Sequence, residues 1–448
     1  MAKILIVTLE LAGRVNTFAE LGRRLEERGH QVVMTSPADI EGLVEALGLE
    51  FRVMSRLRPP GLSDPDVLRV PLTTAIASLR HLRHFRHNRE AEILRWDVDG
   101  FTAGLHAFDP DLVLCDIEFP MQLMVADREG YRTAAVCDQL ALWKRPGLPP
   151  LHLPLVPGDG WQTSRPGVEL LWVRYRLWKW LRFRLLQLLS GGRDQLSVLR
   201  EIARRIGYPF RREIQLYQWI IPVTFRTTPT LTFNALELDL PHRPRRNVEY
   251  VGPVIDPRPH HQLPNLADEQ RLQAVLDRAA NRTLIYGGFG AYHEGDDTSF
   301  LRSVIDAVGA EPEWDLIVGL GDRFEAGKLG TIPPNVHLFA WAPQRRVLAQ
   351  ADAAVLHGGI TTVNESIAAG VPMVVYPYSY NDTPGYAARV RYHGLGVVGN
   401  RETDTAEDIS EHLQAVLGNA QIAQNLRTMR AAFDDYGTRA VDAVEELL

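Results

Sequence analysis

The sequence predicts an α/β protein with two domains, each built on a parallel β-sheet. The chain has 448 residues, which is too long for a single hydrophobic core. Patterns of a buried strand followed by an amphipathic helix occur at residues 3–28 and again at residues 353–370. Parallel strands need a crossover, and a helix usually supplies it. This alternation therefore favours parallel sheets covered by helices.

The composition excludes several classes of protein. Hydrophobic residues make up 45% of the chain and charged residues 23%, which is typical of a folded protein and predicts no long disordered span. The net charge of −6 does not indicate a nucleic-acid binder. Cys115 and Cys137 lie in apolar runs, so we expect buried thiols in a reducing cytoplasm. No uncharged apolar run has the length of a membrane span, and the apolar run at residues 4–9 predicts a strand, not a signal peptide.

The first half of the chain begins with strand and helix patterns in alternation. Residues 15–28 predict a helix with Phe18, Leu21 and Leu25 on one face. The strands predicted around it are residues 3–8, 31–35, 112–116 and 131–137. Residues 80–87 carry three histidines at every third position. Because no acidic or cysteine partner lies at ligand spacing, we predict a solvated basic helix face and no metal site.

An unusual helix is predicted at residues 168–190, after a loop rich in proline and tryptophan. One stripe is formed by Leu170, Leu171, Leu177, Trp178, Leu181, Leu185, Leu188 and Leu189. The other face mixes aromatic with basic residues. Two interpretations remain open: the helix roofs a ligand cleft with its aromatic side chains, or it lies on an anionic membrane. The cleft roof is favoured because a leucine stripe is usually core. Either interpretation predicts a bulky, apolar ligand.

The second half contains a strand, glycine turn and helix around H-G-G-I-T-T-V-N-E, residues 357–365. Gly358 and Gly359 allow the backbone to come close to a ligand. Thr361 and Thr362 fall in the first helical turn, where unpaired N–H groups and the helix dipole favour an anion such as phosphate. The alternative is an ordinary strand-to-helix turn with a buried histidine.

The segments flanking this corner predict further ligand contacts. Upstream, a short strand ends at Trp341, whose indole face could stack on a nucleobase while the amides around Ala342 bond its edge. Glu365, one turn into the helix, could accept two hydrogen bonds from a ribose. Another strand ends close to Asp382. An earlier glycine turn ends at Gly290, where only backbone N–H groups could contact a phosphate.

These elements, in this order, resemble the donor-binding signature of family 1 glycosyltransferases, the superfamily of plant, macrolide and carotenoid glycosyltransferases. The motifs are W-A-P-Q at 341–344, H-G-G at 357–359, the glutamate at 365, G-V-P-M at 370–373 and D-x-P-G at 382–385. The resemblance implies the GT-B fold, with two facing Rossmann-like domains. It also implies inverting transfer from a UDP-sugar or dTDP-sugar, with no metal and no further cofactor.

The resemblance also assigns donor-binding roles. Trp341 and Ala342 would hold uracil or thymine, and Gln344 and Glu365 the ribose. The diphosphate would be bound by His357, Gly359, Ile360, Thr361 and Thr362, with Gly290 nearby, and Asp382 and Thr383 would face the sugar hydroxyls. In relatives the residue after the aspartate is often glutamine. Thr383 cannot make the contacts of that amide, so a glucose donor is not assumed.

The same resemblance divides the chain into parts. Residues 1–240 would form the acceptor-binding domain, with its last strand at 223–233 and the basic aromatic helix at 168–190 as an insertion. Residues 247–425 would bind the nucleotide sugar, and residues 426–448 would form a helix that crosses back to the first domain.

One departure concerns the catalytic base. Residues 13–17 resemble the family's G-H-V-N-P, but Arg14 stands where the family has its catalytic histidine. Arginine stays protonated at neutral pH and cannot act as that base. Three explanations remain open. The base is Asp116, Glu10 or Glu118 with Arg14 paired to it; or the acceptor is an acidic group that Arg14 grips; or transfer activity has been lost. The plainest interpretation of Arg14 is a salt bridge to Asp116.

The sequence therefore predicts an inverting glycosyltransferase for natural-product biosynthesis. Its acceptor would be bulky, apolar or aromatic, or lipid-like, with an anionic acceptor as one option. The alternatives are a nucleotide-sugar epimerase or hydrolase, or a catalytically silent homologue that acts as a binding partner. We expect a cytoplasmic monomer or homodimer that does not bind nucleic acid, with peripheral membrane contact as an open alternative.

Overall fold

The computed structural model describes residues 1–55, 93–140, 143–190, 194–219, 221–258, 265–290, 298–321, 329–379 and 381–448. The histidine-rich segment at 80–87 and its predicted basic helix face lie outside these ranges.

The first half of the chain forms a parallel sheet and a small antiparallel pair. Its strands are β1 (Lys3–Val7), β2 (Gln31–Thr35), β3 (Glu50–Phe51), β4 (Leu112–Asp116), β5 (Arg132–Cys137), β6 (Ile214–Leu216), β7 (Val223–Phe225), β8 (Thr230–Thr232) and β9 (Val248–Tyr250). The parallel sheet has the order β3-β2-β1-β4-β5-β8-β9, and β6 pairs with β7 in the antiparallel sense. Residues 4–7 of β1 and 112–115 of β4 are apolar and buried, as expected where helices cover both faces of a parallel sheet.

Helices connect these strands. They are α1 (Ala12–Glu27), α2 (Glu41–Ala46), α3 (Val98–Phe108), α4 (Pro120–Arg128), α5 (Arg165–Ser190), α6 (Gln195–Ile206) and α7 (Phe210–Glu213), with a 3₁₀ turn at Trp161–Thr163. Local sequence sets the ends of α6. The Asp194 side chain accepts a hydrogen bond from the Ser197 N–H at the start, and Gly207, with φ of 71°, ends the helix.

The second half forms another parallel sheet. Its strands are β10 (Thr283–Gly288), β11 (Trp314–Gly319), β12 (Val336–Phe339), β13 (Ala353–Leu356), β14 (Met373–Val375) and β15 (Gly396–Val398), in the order β12-β11-β10-β13-β14-β15. Its helices are α8 (Leu266–Arg278), α9 (Thr298–Gly309), α10 (Gln344–Leu348), α11 (Ile360–Ala369), α12 (Thr383–Tyr392), α13 (Ala406–Val416), α14 (Ala420–Asp434) and α15 (Arg439–Glu445). Two 3₁₀ turns lie at Leu236–Leu238 and Ala279–Asn281.

Both parallel sheets reverse their strand order at one point. In the first sheet the reversal lies between β1 and β4, and in the second it lies between β10 and β13. Ligands of open α/β sheets bind outside the carboxyl ends of the strands at such a switch point. The predicted pair of Rossmann-like sheets is confirmed, and the two switch points define where to look for a site.

Two predicted boundaries need correction. The strand Val248–Tyr250 pairs with β8 in the first sheet, so the boundary predicted at 247 falls too early. The segment predicted as one strand at 223–233 is two: β7 pairs with β6, and only β8 joins the large sheet.

The end of the chain also differs from the predicted division at 426. Leu426, Met429 and Phe433 on α14 pack into the core of the second domain. The helix that returns to the first domain is α15, whose Val441 and Val444 join the core that contains Phe18. The crossing segment is therefore shorter, and the reason is that the apolar face of α14 is already buried against its own domain.

The predicted interpretation of α5 as a helix with its leucine stripe in the core was wrong. Leu177 and Leu181 are more than half exposed, whereas Trp172 and Phe183 are buried. The Trp172 indole Nε1 donates to the Leu148 carbonyl over 2.8 Å. The inward face of α5 thus carries Trp172 and Phe183, and Trp172 finds its hydrogen-bond partner in the preceding loop.

Candidate active site

The first switch point holds Arg14 and Asp116. Arg14 lies in the first turn of α1, directly after β1, and Asp116 is the last residue of β4. β1 and β4 are neighbours in the sheet, so their carboxyl ends bring the two side chains together. A cation at a helix N-terminus is disfavoured by the helix dipole, and Arg14 is also buried. Both facts require anionic partners close by.

Three carboxylates surround the Arg14 guanidinium. Nη1 donates to both Asp116 oxygens at 3.0 and 3.2 Å, and Nη2 donates to Glu118 Oε1 at 2.5 Å. Nε lies 3.1 Å from Asp138 Oδ1. The Glu118 backbone N–H also donates to Asp116, over 2.9 Å. Glu10, the remaining predicted candidate, is half-buried and lies beyond the end of β1.

Burial and charge shape the protonation of this cluster. Burial lowers the pKa of Arg14, but the attraction of Asp116, Asp138 and Glu118 outweighs it and raises the pKa above its ordinary value. Burial raises the pKa of Asp116 to about 7, even though Arg14 opposes the shift. Burial likewise raises the pKa of Asp138. The guanidinium stays charged, while the carboxyl groups of Asp116 and Asp138 take up a proton at a higher pH than exposed aspartates do.

Asp138 is a site residue that the sequence analysis missed. It follows β5 directly, at the same edge of the sheet where Asp116 follows β4. The signal that singled out Asp116, an acidic residue at the carboxyl end of a predicted strand, was therefore present at Asp138 as well.

The second switch point is the glycine-rich corner at His357. The His357 Nδ1 lies 3.1 Å from the Gly288 carbonyl at the end of β10. A Cβ at Gly290 or at Gly359 would lie 2.7 or 2.5 Å from His357 Nε2, so glycine is required at both positions for the imidazole to fit. Gly359 is the N-cap of α11 and supplies no side-chain cap. The N–H groups of Ile360, Thr361 and Thr362 at this helix start are therefore placed to bind an anion.

Gln344 joins the residues predicted to bind a ribose. Its Nε2 donates to Thr362 Oγ1 over 3.3 Å and also bonds to the Glu365 carboxylate. Its Oε1 accepts a hydrogen bond from the Tyr286 hydroxyl over 2.9 Å. Burial raises the pKa of Glu365, with Gln344 and Arg345 opposing the shift. The structure thus holds Glu365 on the cleft side of α11 through a preorganised amide.

Trp341 and Ala342 lie where β12 leads into α10. The Trp341 side chain is 47% exposed, while Ala342 is buried. The Ala342 backbone nitrogen would lie 3.1 Å from a Cβ at Gly319, so this turn packs tightly against the end of β11. An open indole face beside fixed backbone amides is an arrangement that suits a flat heterocycle.

Asp382 and Thr383 begin α12, next to the His357 corner. The Tyr386 hydroxyl donates to Asp382 Oδ2 over 2.9 Å. Burial raises the pKa of Asp382 to about 6, with the negative charge of Asp138 adding to the shift. Thr383 donates its hydroxyl proton to the Tyr378 carbonyl over 3.2 Å. Its oxygen can therefore act only as an acceptor toward a ligand.

The two switch points face each other across one cleft. Asn16, Thr17 and Asp138 line it from the first domain, and Arg345, Ile360, Thr361 and Glu365 are among the residues that line it from the second. The walls also touch each other directly. A Cβ at Gly13 would lie 3.1 Å from Thr361 Oγ1, and Asn364 Nδ2 donates to Asn234 Oδ1 over 2.9 Å. The domains are thus in direct contact around the candidate site.

In the ranges that the structure describes, no group of three or more His, Cys, Asp and Glu side chains is arranged to hold a metal ion. None of the helices in those ranges combines the length and apolarity needed to cross a bilayer.

The sequence matches several known proteins. Residues 302–438 match the family described as "Erythromycin biosynthesis protein CIII-like, C-terminal domain". The chain is 32% identical to oleandomycin glycosyltransferase of Streptomyces antibioticus over 151 residues, which cover 33% of this chain and 34% of that protein. It is 22% identical to zeaxanthin glucosyltransferase of Pantoea ananas over 97% of this chain and 93% of that protein. The stronger match thus spans about a third of its relative, and the longer match is more distant.

Solved structures resemble the whole chain. The calicheamicin glycosyltransferase CalG4 matches with a TM-score of 0.66 and 21% identity, over 100% of this chain and 98% of that chain. Glycosyltransferase VinC in complex with dTDP matches with a TM-score of 0.61 and 16% identity, over 99% and 98% of the two chains. At this level of identity the likeness shows the fold, which is the two-domain GT-B fold.

Proposed function

We propose that this chain, which resembles family 1 glycosyltransferases in sequence and shares their GT-B fold, moves a sugar from a nucleoside diphosphate to a bulky apolar or aromatic acceptor. The observation that carries the proposal is the cleft between the two switch points. One wall is the donor-type corner of Ile360, Thr361 and Glu365, and the opposite wall carries the ionisable Asp138. The sugar donor and the carboxyl group of Asp138, as the base, would thus face each other across the cleft.

The second domain supplies the donor site in this proposal. Trp341 stacks on the base, Glu365 and Gln344 bind the ribose, and the start of α11 binds the diphosphate. The exposed indole and the uncapped helix start support these roles. The donor in this proposal is a dTDP-sugar or a UDP-sugar, and the matched VinC structure holds dTDP.

The acceptor class is inferred from the helix-rich first domain and from the relatives. The names of two matched relatives specify oleandomycin and zeaxanthin as the molecules concerned, and both relatives are glycosyltransferases. For this chain we propose a hydroxylated natural product with a large apolar body. The acceptor would enter from the first domain, as the resemblance implies.

Asp138 is the residue we propose as the general base. Asp116 is fully buried, its two oxygens accept hydrogen bonds from Arg14, and the Glu118 N–H adds a third. It is therefore a positioning residue that holds Arg14. Asp138 touches Arg14 only through Nε and lines the cleft. A carboxylate with a pKa raised by burial is a better base near neutral pH than an exposed one.

The proposed step inverts the anomeric carbon. Asp138 takes the proton of the acceptor hydroxyl, the hydroxyl oxygen forms a bond to the anomeric carbon, and the bond from that carbon to the diphosphate oxygen breaks. The electron pair leaves with the nucleoside diphosphate, whose growing negative charge is met by the N–H groups at the start of α11. Arg14 holds Asp138 in place. Its positive charge also offsets part of the negative charge of the four nearby carboxyl groups, which are those of Asp116, Glu118, Asp138 and Asp382.

The test is a screen of UDP-sugars and dTDP-sugars against hydroxylated apolar acceptors, with nucleotide release and product mass measured together. Asp138→Asn should lower kcat about 10²- to 10⁴-fold, the usual worth of a general base, with the nucleotide Kd unchanged. It should also remove the acidic limb from the pH profile of kcat/KM. The matched variant Asp116→Asn should lower kcat by disturbing Arg14 but should retain that limb.

Other outcomes would overturn the proposal in distinct ways. An unchanged kcat for Asp138→Asn would remove Asp138 from the mechanism. Nucleotide release without a glycosylated product would indicate an epimerase or hydrolase. Tight nucleotide binding with no turnover across the panel would indicate a catalytically silent homologue.

A further inference from the structure

Helix α5 (Arg165–Ser190) presents a long apolar face to solvent. Its exposed large apolar side chains are Leu170, Val173, Leu177, Trp178, Trp180, Leu181, Leu185, Leu188 and Leu189. The four leucines 170, 177, 181 and 188 fall on one line of the helix, since 3.6 residues make a turn. Leu188, at the far end, is 80% exposed. A soluble chain rarely exposes so many large apolar side chains along one helix unless it meets a partner or a membrane.

The rest of the protein fixes which way this face points. On the opposite side of α5, Trp172, Lys179 and Phe183 are buried. Trp172 is held by its hydrogen bond to Leu148, and the Phe183 ring lies 5.7 Å from the Tyr217 ring. Rotating α5 to hide the leucines would expose these side chains and break their contacts. The outward orientation is therefore a property of the packing.

The charges on α5 are almost all positive. The helix carries Arg165, Arg174, Arg176, Lys179, Arg182 and Arg184. Its one acidic residue, Glu169, is paired with Lys144. Arg182 lies over the Trp178 ring at 5.3 Å, and Arg184 lies over the Trp180 ring at 5.9 Å. The chain as a whole has a net charge of −6, so the positive charge is concentrated on this helix.

We propose that α5 docks on an anionic lipid bilayer, with its leucines in the acyl boundary and its arginines at the headgroups. Leucine and tryptophan on a face flanked by arginine is the pattern of a helix that lies in the plane of the interface. The long arginine side chains can reach the phosphate level while their stems stay among the apolar groups. A second copy of the chain is disfavoured as the occupant, because two α5 faces in contact would bring two sets of arginines together.

The docked surface connects to the candidate active site through one loop. Lys144, in that loop, is paired with Glu169 of α5, and Asp159 is paired with Arg391 of α12. The Leu151 carbonyl also lies so close to Gly385 that a Cβ there would clash with it. The loop therefore lies between α5 and α12, whose N-cap is Asp382. This proposal goes beyond sugar transfer and does not depend on it.

The first experiment measures binding of the full chain to vesicles by flotation. Two compositions are compared: phosphatidylcholine alone, and phosphatidylcholine with phosphatidylglycerol in equal parts. We expect binding to the anionic vesicles and much weaker binding to the neutral ones. Raising the salt concentration should weaken the binding, because headgroup attraction is screened.

Two double variants separate the apolar and the electrostatic contributions. Leu177→Glu/Leu181→Glu should abolish flotation. Arg176→Gln/Arg184→Gln should lower the partition coefficient about tenfold or more, since each arginine near an anionic surface contributes appreciably. The matched controls are Leu266→Glu, an exposed leucine on α8, and Arg427→Gln/Arg430→Gln on α14, which should all float like the parent. Unchanged thermal unfolding shows that each variant folds.

Three results would overturn the proposal. One is equal flotation of the parent and of Leu177→Glu/Leu181→Glu. Another is no binding of the parent to anionic vesicles at low salt. The third is a parent protein that sediments as a dimer and does not bind vesicles, together with a Leu177→Glu/Leu181→Glu variant that sediments as a monomer. That result would show that the apolar face of α5 contacts a second copy of the chain. Loss of glycosyl transfer with vesicle binding intact would affect the proposed function alone.

Discussion

At the scale of single residues, the site is governed by an excess of buried acid over base. Arg14 is surrounded by Asp116, Glu118 and Asp138, and Asp382 lies close enough for its charge to be felt. A buried ion cluster of this kind contributes little net stability, but removing one partner leaves an uncompensated charge. The buried Arg14 guanidinium is thus balanced by the neighbouring carboxyl groups, which neutralise its charge.

Asp382 gives a prediction about stability and pH. Its folded-state pKa is raised to about 6 from the ordinary 3.8, so between those values the folded chain holds a proton that the unfolded chain has lost. The contribution of Asp382 to the free energy of unfolding therefore falls as the pH rises between these two pKa values. Asp382→Asn has no such loss and should gain about 1 to 2 kcal/mol relative to the parent between pH 4 and pH 7.

The measurement is the free energy of unfolding in urea at both pH values. An equal pH dependence in the parent and in Asp382→Asn would show that this carboxyl group is not the one that titrates.

At the scale of elements, the strand-to-helix corner between β13 and α11 is the best-defined feature of the chain. Gly358 has a φ of 84°, in the left-handed region that favours glycine. Position 359 must be glycine for a different reason, because a side chain there would collide with the His357 ring. The two glycines thus serve different ends. The first turns the chain, and the second keeps the imidazole against the start of the helix.

Gly359→Ala tests that second role. The backbone of Gly359 has φ of −65° and ψ of 136°, which alanine adopts freely, so the expected effect is steric alone. The added Cβ would lie 2.5 Å from His357 Nε2 and should push the imidazole out of place. We expect nucleotide affinity, measured by calorimetry with dTDP and UDP, to fall about tenfold or more.

Gly42→Ala on α2 is the matched control, because a Cβ there meets nothing within 4 Å. That variant should bind nucleotide like the parent and be slightly more stable. Normal nucleotide affinity in Gly359→Ala would remove the His357 corner from the donor site.

At the scale of the whole molecule, polar contacts tie the two domains together. Asp239, in the segment after β8, and Arg389, on α12, form an ion pair that is almost wholly buried, with Arg389 Nη2 2.6 Å and Nε 3.0 Å from Asp239 Oδ1. The Tyr250 hydroxyl donates to the other Asp239 oxygen over 3.0 Å. Burial alone would raise the pKa of Asp239, but Arg389 and His242 outweigh it and the pKa is lowered.

Arg389→Met should therefore destabilise the chain by about 3 to 5 kcal/mol, because Asp239 would be left buried without its cation. Adding Asp239→Asn should restore part of this loss, since a neutral amide costs less to bury than a carboxylate. Urea unfolding of the parent, the single variant and the double variant measures both effects. A double variant no more stable than Arg389→Met would show that the pair is not the source of the stability.

Much of the fold followed from the sequence. The alternation of strand and helix predicted both parallel sheets, and the motifs at 341–344 and 357–365 located the donor-type corner. The resemblance to family 1 glycosyltransferases is confirmed by the matched relatives. These features were predictable because they are local: a glycine turn, a strand and a helix start each depend on residues that are adjacent in the sequence.

Only the tertiary structure decided three further matters: that Asp138 faces the cleft, that β9 belongs to the first sheet, and that the leucine face of α5 points outward. Each depends on contacts between residues far apart in the chain. Local sequence shows that α5 has two faces that differ in chemistry, but the neighbours that pack against a helix determine which of its faces is buried.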